Sequence, residues 1–350
     1  MNVSISRLST ESDAEAVLKF WNANHEERFD DRYRWAHTEN PAGKGITFMM
    51  KDSASGECIG CTAVIPRQMR IEGTSVRGGV ARDFFVHEKH RVLGPALKLM
   101  KEPVSVVREN ELDLIYAFPN GKAEAVMKRA GFKYLGPYIR MVKPIRLAGR
   151  ARSRPLLGYF SRLVVAVLNI KLRLIAVETW YRFRGGFVCK EAKTFDERFE
   201  ALWARSKLHS KVIGERDAGF LEWKYCHGPG VEYRIFAIYN SDESAVVGYI
   251  VYCMEDGAVD IRDFMRPEDK TAARVLMTHF LRHVRALSPT SVTVHFLQNV
   301  RIMRLFSRYG FVRRTCDRNV YYCCNERVIA TYPGLKDPEN WHLFNGEVHY

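Results

Sequence analysis

The feature that most narrows what this chain folds into is an internal repeat. Trp35, Pro41 and Gly60 have counterparts in Trp223, Pro229 and Gly248, each 188 residues later. Arg82-Asp83-Phe84 returns as Arg262-Asp263-Phe264 at an offset of 180, and Asn120 with Gly131-Phe132 returns as Asn299 with Gly310-Phe311 at 179. The offset falls by 8 between Gly60 and Asp83, which a shorter hairpin in the second copy accounts for. These ordered matches predict two copies of one unit in a chain of 350 residues, longer than one typical core supports.

In the first copy the organising stretch is Val80 to Met100. Phe84, Phe85 and Val86 supply a β-favouring run, Lys89 to Arg91 make a basic turn, and Gly94-Pro95-Ala96 opens a helix with apolar residues at Ala96, Leu97, Leu99 and Met100. Pro95 suits a first helical turn, where its missing N–H has no partner to lose. A small-residue turn feeding a helix leaves several backbone N–H groups aimed at one spot with the helix dipole behind them, which makes an anion site. Strands are predicted at Ile46 to Met50, Cys58 to Ile65, Gln68 to Ile71, Val76 to Val86 and Leu112 to Ala117. A short helix is predicted at Gly121 to Ala130, closed by Gly131.

Arg91-Val92-Leu93-Gly94-Pro95-Ala96 fits the Arg/Gln-x-x-Gly-x-Gly/Ala signature of the GNAT superfamily of acyl-CoA-dependent N-acyltransferases. With the repeat, the chain resembles a tandem GNAT protein, an arrangement also seen in mycothiol synthase, over most of residues 1–140 and 190–325. The resemblance implies an α/β fold of two GNAT-like domains, each a mixed, mostly antiparallel sheet flanked by helices. The divisions are an N-terminal domain (1–140), a basic connector (141–189), a degenerate C-terminal domain (190–330) and a tail (331–350). It further implies acetyl-CoA, or another acyl-CoA, as cosubstrate, held by Phe85, Val86, Arg91, Val92, Leu93, Gly94, Pro95, Ala96 and Asn120, with Asp83 and His87 as catalytic candidates and no metal. The second copy reads Arg266-Pro267-Glu268-Asp269-Lys270 at the loop, with no glycine and two adjacent carboxylates, so cofactor binding is expected in the first half alone. The expected activity is N-acyl, chiefly N-acetyl, transfer to a primary amine of a small molecule or amino sugar. A Fem-type aminoacyl-tRNA-dependent transferase and a non-catalytic scaffold are the alternatives.

The chemistry needs a neutral amine, yet an alkylamine with a pKa of about 10.4 arrives protonated. Asp83 is a weak base for that task unless it works through water or by orientation, and Asn120 is equally a helix N-cap. The tyrosine that GNAT proteins often place seven residues after this Asn is Met127 here and Phe306 in the second copy. Tyr116, Tyr134 and Tyr138 are the candidates to replace it.

A net charge of +14 favours an acidic partner, and no nucleic-acid motif accompanies it. Eight cysteines without a signal peptide point to free thiols in a reducing cytoplasm. From Arg140 to Arg173 the chain carries nine Lys and Arg and no Asp or Glu, around an apolar run, Leu163 to Ile170, too short to span a bilayer. Two readings of residues 140–175 stay open: a peripheral membrane contact, or a helix packed between the domains with its cations solvated.

Overall fold

The computed structural model describes residues 3–8, 11–26, 28–91, 93–147, 158–182, 185–206 and 211–348, with backbone alone at 11, 12, 93 and 158–163. The first half runs β1 (Val3–Arg7), α1 (Glu11–Asn24), α2 (Asp30–Tyr33), β2 (Ile46–Asp52), β3 (Cys58–Ile71), β4 (Thr74–Val86), α3 (Leu93–Arg108), β5 (Leu114–Ala117), α4 (Gly121–Ala130) and β6 (Lys133–Pro144). The connector holds α5 (Gly158–Leu174) and α6 (Val177–Trp180). The second half opens with β7 (Phe187–Ala192), α7 (Glu197–Arg205), β8 (Val212–Gly214) and α8 (Ala218–Tyr225). It continues through β9 (Tyr233–Asn240), β10 (Val246–Glu255), β11 (Ala258–Met265), α9 (Lys270–Ala286), β12 (Ser291–Leu297) and α10 (Val300–Arg308). It closes with β13 (Val312–Arg314), β14 (Asn319–Cys324), α11 (Glu326–Thr331) and β15 (Trp341–His342).

The strands form one mixed sheet in the order β1-β2-β3-β4-β5-β14-β6-β12-β11-β10-β9-β7. Only β4–β5 and β11–β12 on this path are parallel. At the centre the halves exchange strands. β14 lies between β5 and β6, and β6 passes from β14 to β12 between Pro137 and Tyr138. The α/β architecture with helices flanking a mixed sheet is as expected. Trp35 and Trp223 stack at 4.6 Å, and each indole N–H donates to the other's carbonyl, at 3.0 and 3.3 Å.

The β3–β4 hairpin has arms of 14 and 13 residues, against 10 and 8 in β10–β11, which is where the repeat offset shortens. β3 is one strand, whereas the sequence predicts a break at Pro66. β2 stops opposite Val64, so at Pro66 that edge of β3 has no ladder bond from β2 for the missing N–H to lose. Pro66 still pairs with Gly79 of β4 on the other side. α3 buries Ala96, Leu99, Met100, Val104 and Val107, a helical stripe lying on the sheet, and this packing fixes where its N-terminus points. All eight cysteines are free thiols, and burial pushes several up, Cys58 to about 11 and Cys189 to about 12.

Candidate active site

β4 and β5 pair in parallel as far as Val80 opposite Tyr116, and then part. β4 continues to Val86 while β5 ends at Ala117. The wedge between them opens as a groove of about 500 Å³ lined by Phe84, Phe85, Val86, Arg91, Ala96, Asn120, Lys122, Ala123 and Val126. Its apolar walls come from β4 and α4, and the first turn of α3 closes one end. That turn contains no acidic residue, Gly94 is exposed, and a Cβ built on Gly94 would meet nothing within 4 Å. The space beside Gly94 is thus open, and no acidic side chain of that turn stands against its positive dipole end. Arg91 is tethered at the same mouth: its Nε donates to the Val86 carbonyl at 2.8 Å and its guanidinium lies 5.1 Å from the Phe85 ring centre. Asn120 caps α4 by accepting from the Ala123 N–H at 3.0 Å, the structural role its sequence context allowed.

Where the wedge begins, β4 bulges. Cys61 pairs with Phe85 and Ala63 with Arg82, so Asp83 and Phe84 stand against Thr62 alone, and Asp83 takes a left-handed φ of 53°. The bulge turns the Asp83 carboxylate, 7% exposed, into a cluster with Arg32 Nη2 at 3.0 Å, Arg82 Nε at 3.2 Å and His37 Nε2 at 3.3 Å. Burial alone would raise its pKa; the hydrogen bond with His37 and the charge of Arg32 outweigh that and hold it below the usual carboxylate value. Asp83 is thus a fixed anion at neutral pH. Beside it lies a cleft of about 480 Å³ whose walls include Arg32, Trp35 and Arg82 from the first half and Pro229, Tyr233 and Val348 from the second.

In the second half the matching places are filled. The carboxylate of Asp269 caps α9 by accepting from the Ala272 N–H at 2.6 Å, which occupies the helix N-terminus with protein charge. β11 and β12 part after Ile261 opposite Val294, and the tail enters there. Phe344 bridges to Phe296 and packs on Phe264, while a Cβ on Gly346 would come within 2.9 Å of the Arg262 carbonyl. The wedge that is open in the first half is plugged in the second.

Five of the residues expected to hold the cofactor, Phe85, Val86, Arg91, Ala96 and Asn120, meet in the groove. Gly94 and Pro95 sit in the adjoining helical turn, Val92 lies outside the described residues, and of Leu93 the backbone alone is described. The two catalytic candidates do not come together. His87 lines a separate hollow with His25, Glu26 and Glu88 on the α1 side, and Asp83 is in its ion-pair cluster. Met127 is buried in the core, as is Phe306. Of the tyrosines, Tyr116 is buried and donates to Glu347 at 2.8 Å, Tyr138 is buried with its pKa raised by desolvation, and Tyr134 is exposed; none lines the groove. Sequence reasoning missed Arg32 and His37, both in the aromatic and polar stretch from Phe29 to Pro41 that precedes β2. The signal was the mixture of Arg32, Arg34 and His37 with Tyr33 and Trp35, charged and aromatic residues interleaved. No group of three or more His, Cys, Asp or Glu among the described residues is arranged to hold a metal ion.

Comparison with known proteins bears on the fold around this site. Residues 6–135 match the family described as an acetyltransferase (GNAT) domain. Among solved structures, a probable N-acyltransferase from Enterococcus faecalis V583 superposes with a TM-score of 0.65 at 12% identity, over 93% of this chain and 72% of that one. A GCN5-related N-acetyltransferase from Anabaena variabilis gives 0.61 at 12% identity, over 92% and 72%. Saccharomyces cerevisiae N-myristoyltransferase with bound myristoyl-CoA gives 0.55 at 12% identity, over 91% and 82%. No curated protein sequence matches the chain. Residues 6–135 thus match a GNAT acetyltransferase domain, and the fold as a whole is similar to that of these solved structures.

Proposed function

We propose that the chain is an acyl-CoA-dependent N-acyltransferase, with acetyl-CoA as donor and a primary amine of a small molecule, such as an amino sugar, as acceptor, built from two GNAT-like copies of which the first alone binds cofactor. The observation that carries this reading is the open wedge between β4 and β5 ending at the uncovered N-terminus of α3. A pyrophosphate suits that helix end and Arg91. The pantetheine arm, a chain with two amides, suits the gap, because β4 beyond Val80 has lost its ladder partner on that side and offers backbone groups as a strand edge does. The thioester then lies near the bulge at Asp83, where disrupted pairing leaves backbone dipoles to polarise its carbonyl.

The acceptor enters from the Arg-lined cleft. The amine reacts in its neutral form, its ammonium proton passing to solvent water. Asp83 holds Arg32 and Arg82 in place and orients the amine rather than taking its proton. The nitrogen attacks the acyl carbon and gives up its extra proton to water, the C–S bond breaks, and CoA leaves as a thiolate whose thiol pKa, about 8.5 by analogy with Cys, makes a dedicated acid dispensable.

The test is calorimetric titration with acetyl-CoA. One site per chain at micromolar affinity or better, about −8 kcal/mol, is expected. Gly94→Glu places a carboxylate in the open space before α3 and is expected to abolish binding with an unchanged melting temperature. Full affinity in that variant, or no binding to the wild type, overturns the reading.

A further inference from the structure

We infer that the connector, from α5 to Trp180, is a docking surface for an anionic phospholipid bilayer. Among the described residues, 13 large apolar side chains are exposed, and 9 of them fall between Leu147 and Trp180. Such concentration makes one patch rather than the scattered exposure normal for a soluble surface. Val164, Val167, Ile170, Leu174, Ile175 and Trp180 are each between 51% and 67% exposed. The inward side of α5 is accounted for separately: Val165, Asn169 and Leu172 are half-buried at helical spacing, and the Asn169 carboxamide accepts from the Leu147 N–H at 2.7 Å. The apolar arc is therefore not the packed face of an interdomain helix.

Charge selects the occupant. Lys171 and Arg173 are exposed on the same helix, and the sequence adds Arg146, Arg150, Arg152 and Arg154 just before it. No Asp or Glu occurs between Lys133 and Glu178. Glu178 itself is buried, holding Arg285 Nη2 at 2.8 Å and Lys143 Nζ at 3.3 Å, and the Arg282 side chain donates to its carbonyl at 2.7 Å. That anion rivets α6 to α9 and β6 and offers nothing to the surface. An exposed apolar arc on a helix whose own described charges are Lys171 and Arg173, in a sequence segment without acidic residues, fits a headgroup and acyl-chain boundary of negative charge. A second copy would bring two such cationic rims together, and a nucleic acid would leave the apolar arc in water. No helix among the described residues is long and apolar enough to cross a membrane, so α5 would lie in the plane of the surface.

Flotation of the full chain with phosphatidylcholine vesicles, with and without phosphatidylserine, tests this independently of the cofactor reading. Binding is expected to the phosphatidylserine vesicles, weakened by salt and accompanied by a blue shift of tryptophan emission. Lys171→Ala with Arg173→Ala is expected to weaken it about thirtyfold. Val167→Asp with Ile170→Asp is expected to abolish it at an unchanged melting temperature, since both side chains are more than half exposed. No flotation, equal binding by these variants, or dimerisation in sedimentation velocity that Val167→Asp removes would each overturn the proposal, the last in favour of a second copy.

Discussion

Asp83 carries more constraints than any other residue of the candidate site. Its left-handed backbone costs an L-residue roughly 1 kcal/mol, and Asp tolerates that better than most. Its carboxylate also neutralises two guanidinium groups that would otherwise be partly desolvated beside one another. The equivalent Asp263 makes a buried pair with Arg216 at 2.9 Å and also adjoins a bulge, at Arg262, but lacks the positive φ, so the ion pair and a bulge belong to both halves and the left-handed backbone to the first. We expect Asp83→Asn to lower kcat by about a hundredfold, the scale of a small misplacement of reacting groups, with acetyl-CoA affinity preserved because the groove lies apart. Asp83→Glu should recover part of the loss. Undiminished turnover by Asp83→Asn on an identified acceptor would end its assigned role. The sequence marked Asp83 through the recurring Arg-Asp-Phe, yet its partners Arg32 and His37 lie 51 and 46 residues away, a distance that no local pattern bridges.

At the scale of elements, the unit that matters is β4, its bulge and α3. The groove is apolar along β4 and α4 and ends in the positive pole of a helix, so filling its apolar part should spare the fold and exclude the ligand. Ala123, half-buried on the α4 wall, is the place to do so. Ala123→Trp is expected to weaken acetyl-CoA binding at least about tenfold in the same titration, which is 1.4 kcal/mol. Unchanged affinity would place the acyl arm elsewhere. This unit was legible in the sequence because each part is local: β-favouring Phe84 to Val86, the helical stripe from Ala96, and Gly131 ending α4 at a φ of 116°. The strand exchange was not legible. β6 and β14 meet partners nearly 200 residues away in sequence, and only the packed sheet decides that Tyr321 pairs with Tyr134 rather than within its own half. The aromatic tail from Trp341 was recognisable as a segment that closes a cleft or caps the second sheet, but its entry into the second wedge was not, since Phe344 to Glu347 carry no motif.

Over the whole molecule, the tail that fills the second wedge also delivers a carboxylate to the centre. Glu347 is buried between Arg67 from the first half and Arg216 from the second, with contacts at 3.0 and 3.5 Å, and accepts from Tyr116. Burial opposes its ionisation, but the two guanidinium groups prevail and hold it well below the usual carboxylate range. Removing one member strands buried cations, so Glu347→Gln is expected to destabilise the chain by about 3–5 kcal/mol in denaturant melts. Five residues earlier, His342 is held neutral by burial first and by the charge of Arg216 second, its pKa lowered from 6.5 to about 4. The unfolded chain then binds a proton at His342 that the folded chain does not, and stability falls as pH drops from about 6.5 towards about 4. Glu347 acts in a lower window: its depressed value gives stability that persists above the unfolded carboxylate pKa, about 4.3, and is lost only as pH falls further. Melting temperature should therefore decline in two stages on acidification, and His342→Gln should flatten the first while leaving the second. If that variant loses stability between pH 6.5 and 4.5 as steeply as the wild type, the proton uptake lies elsewhere than in the tail that joins the two halves.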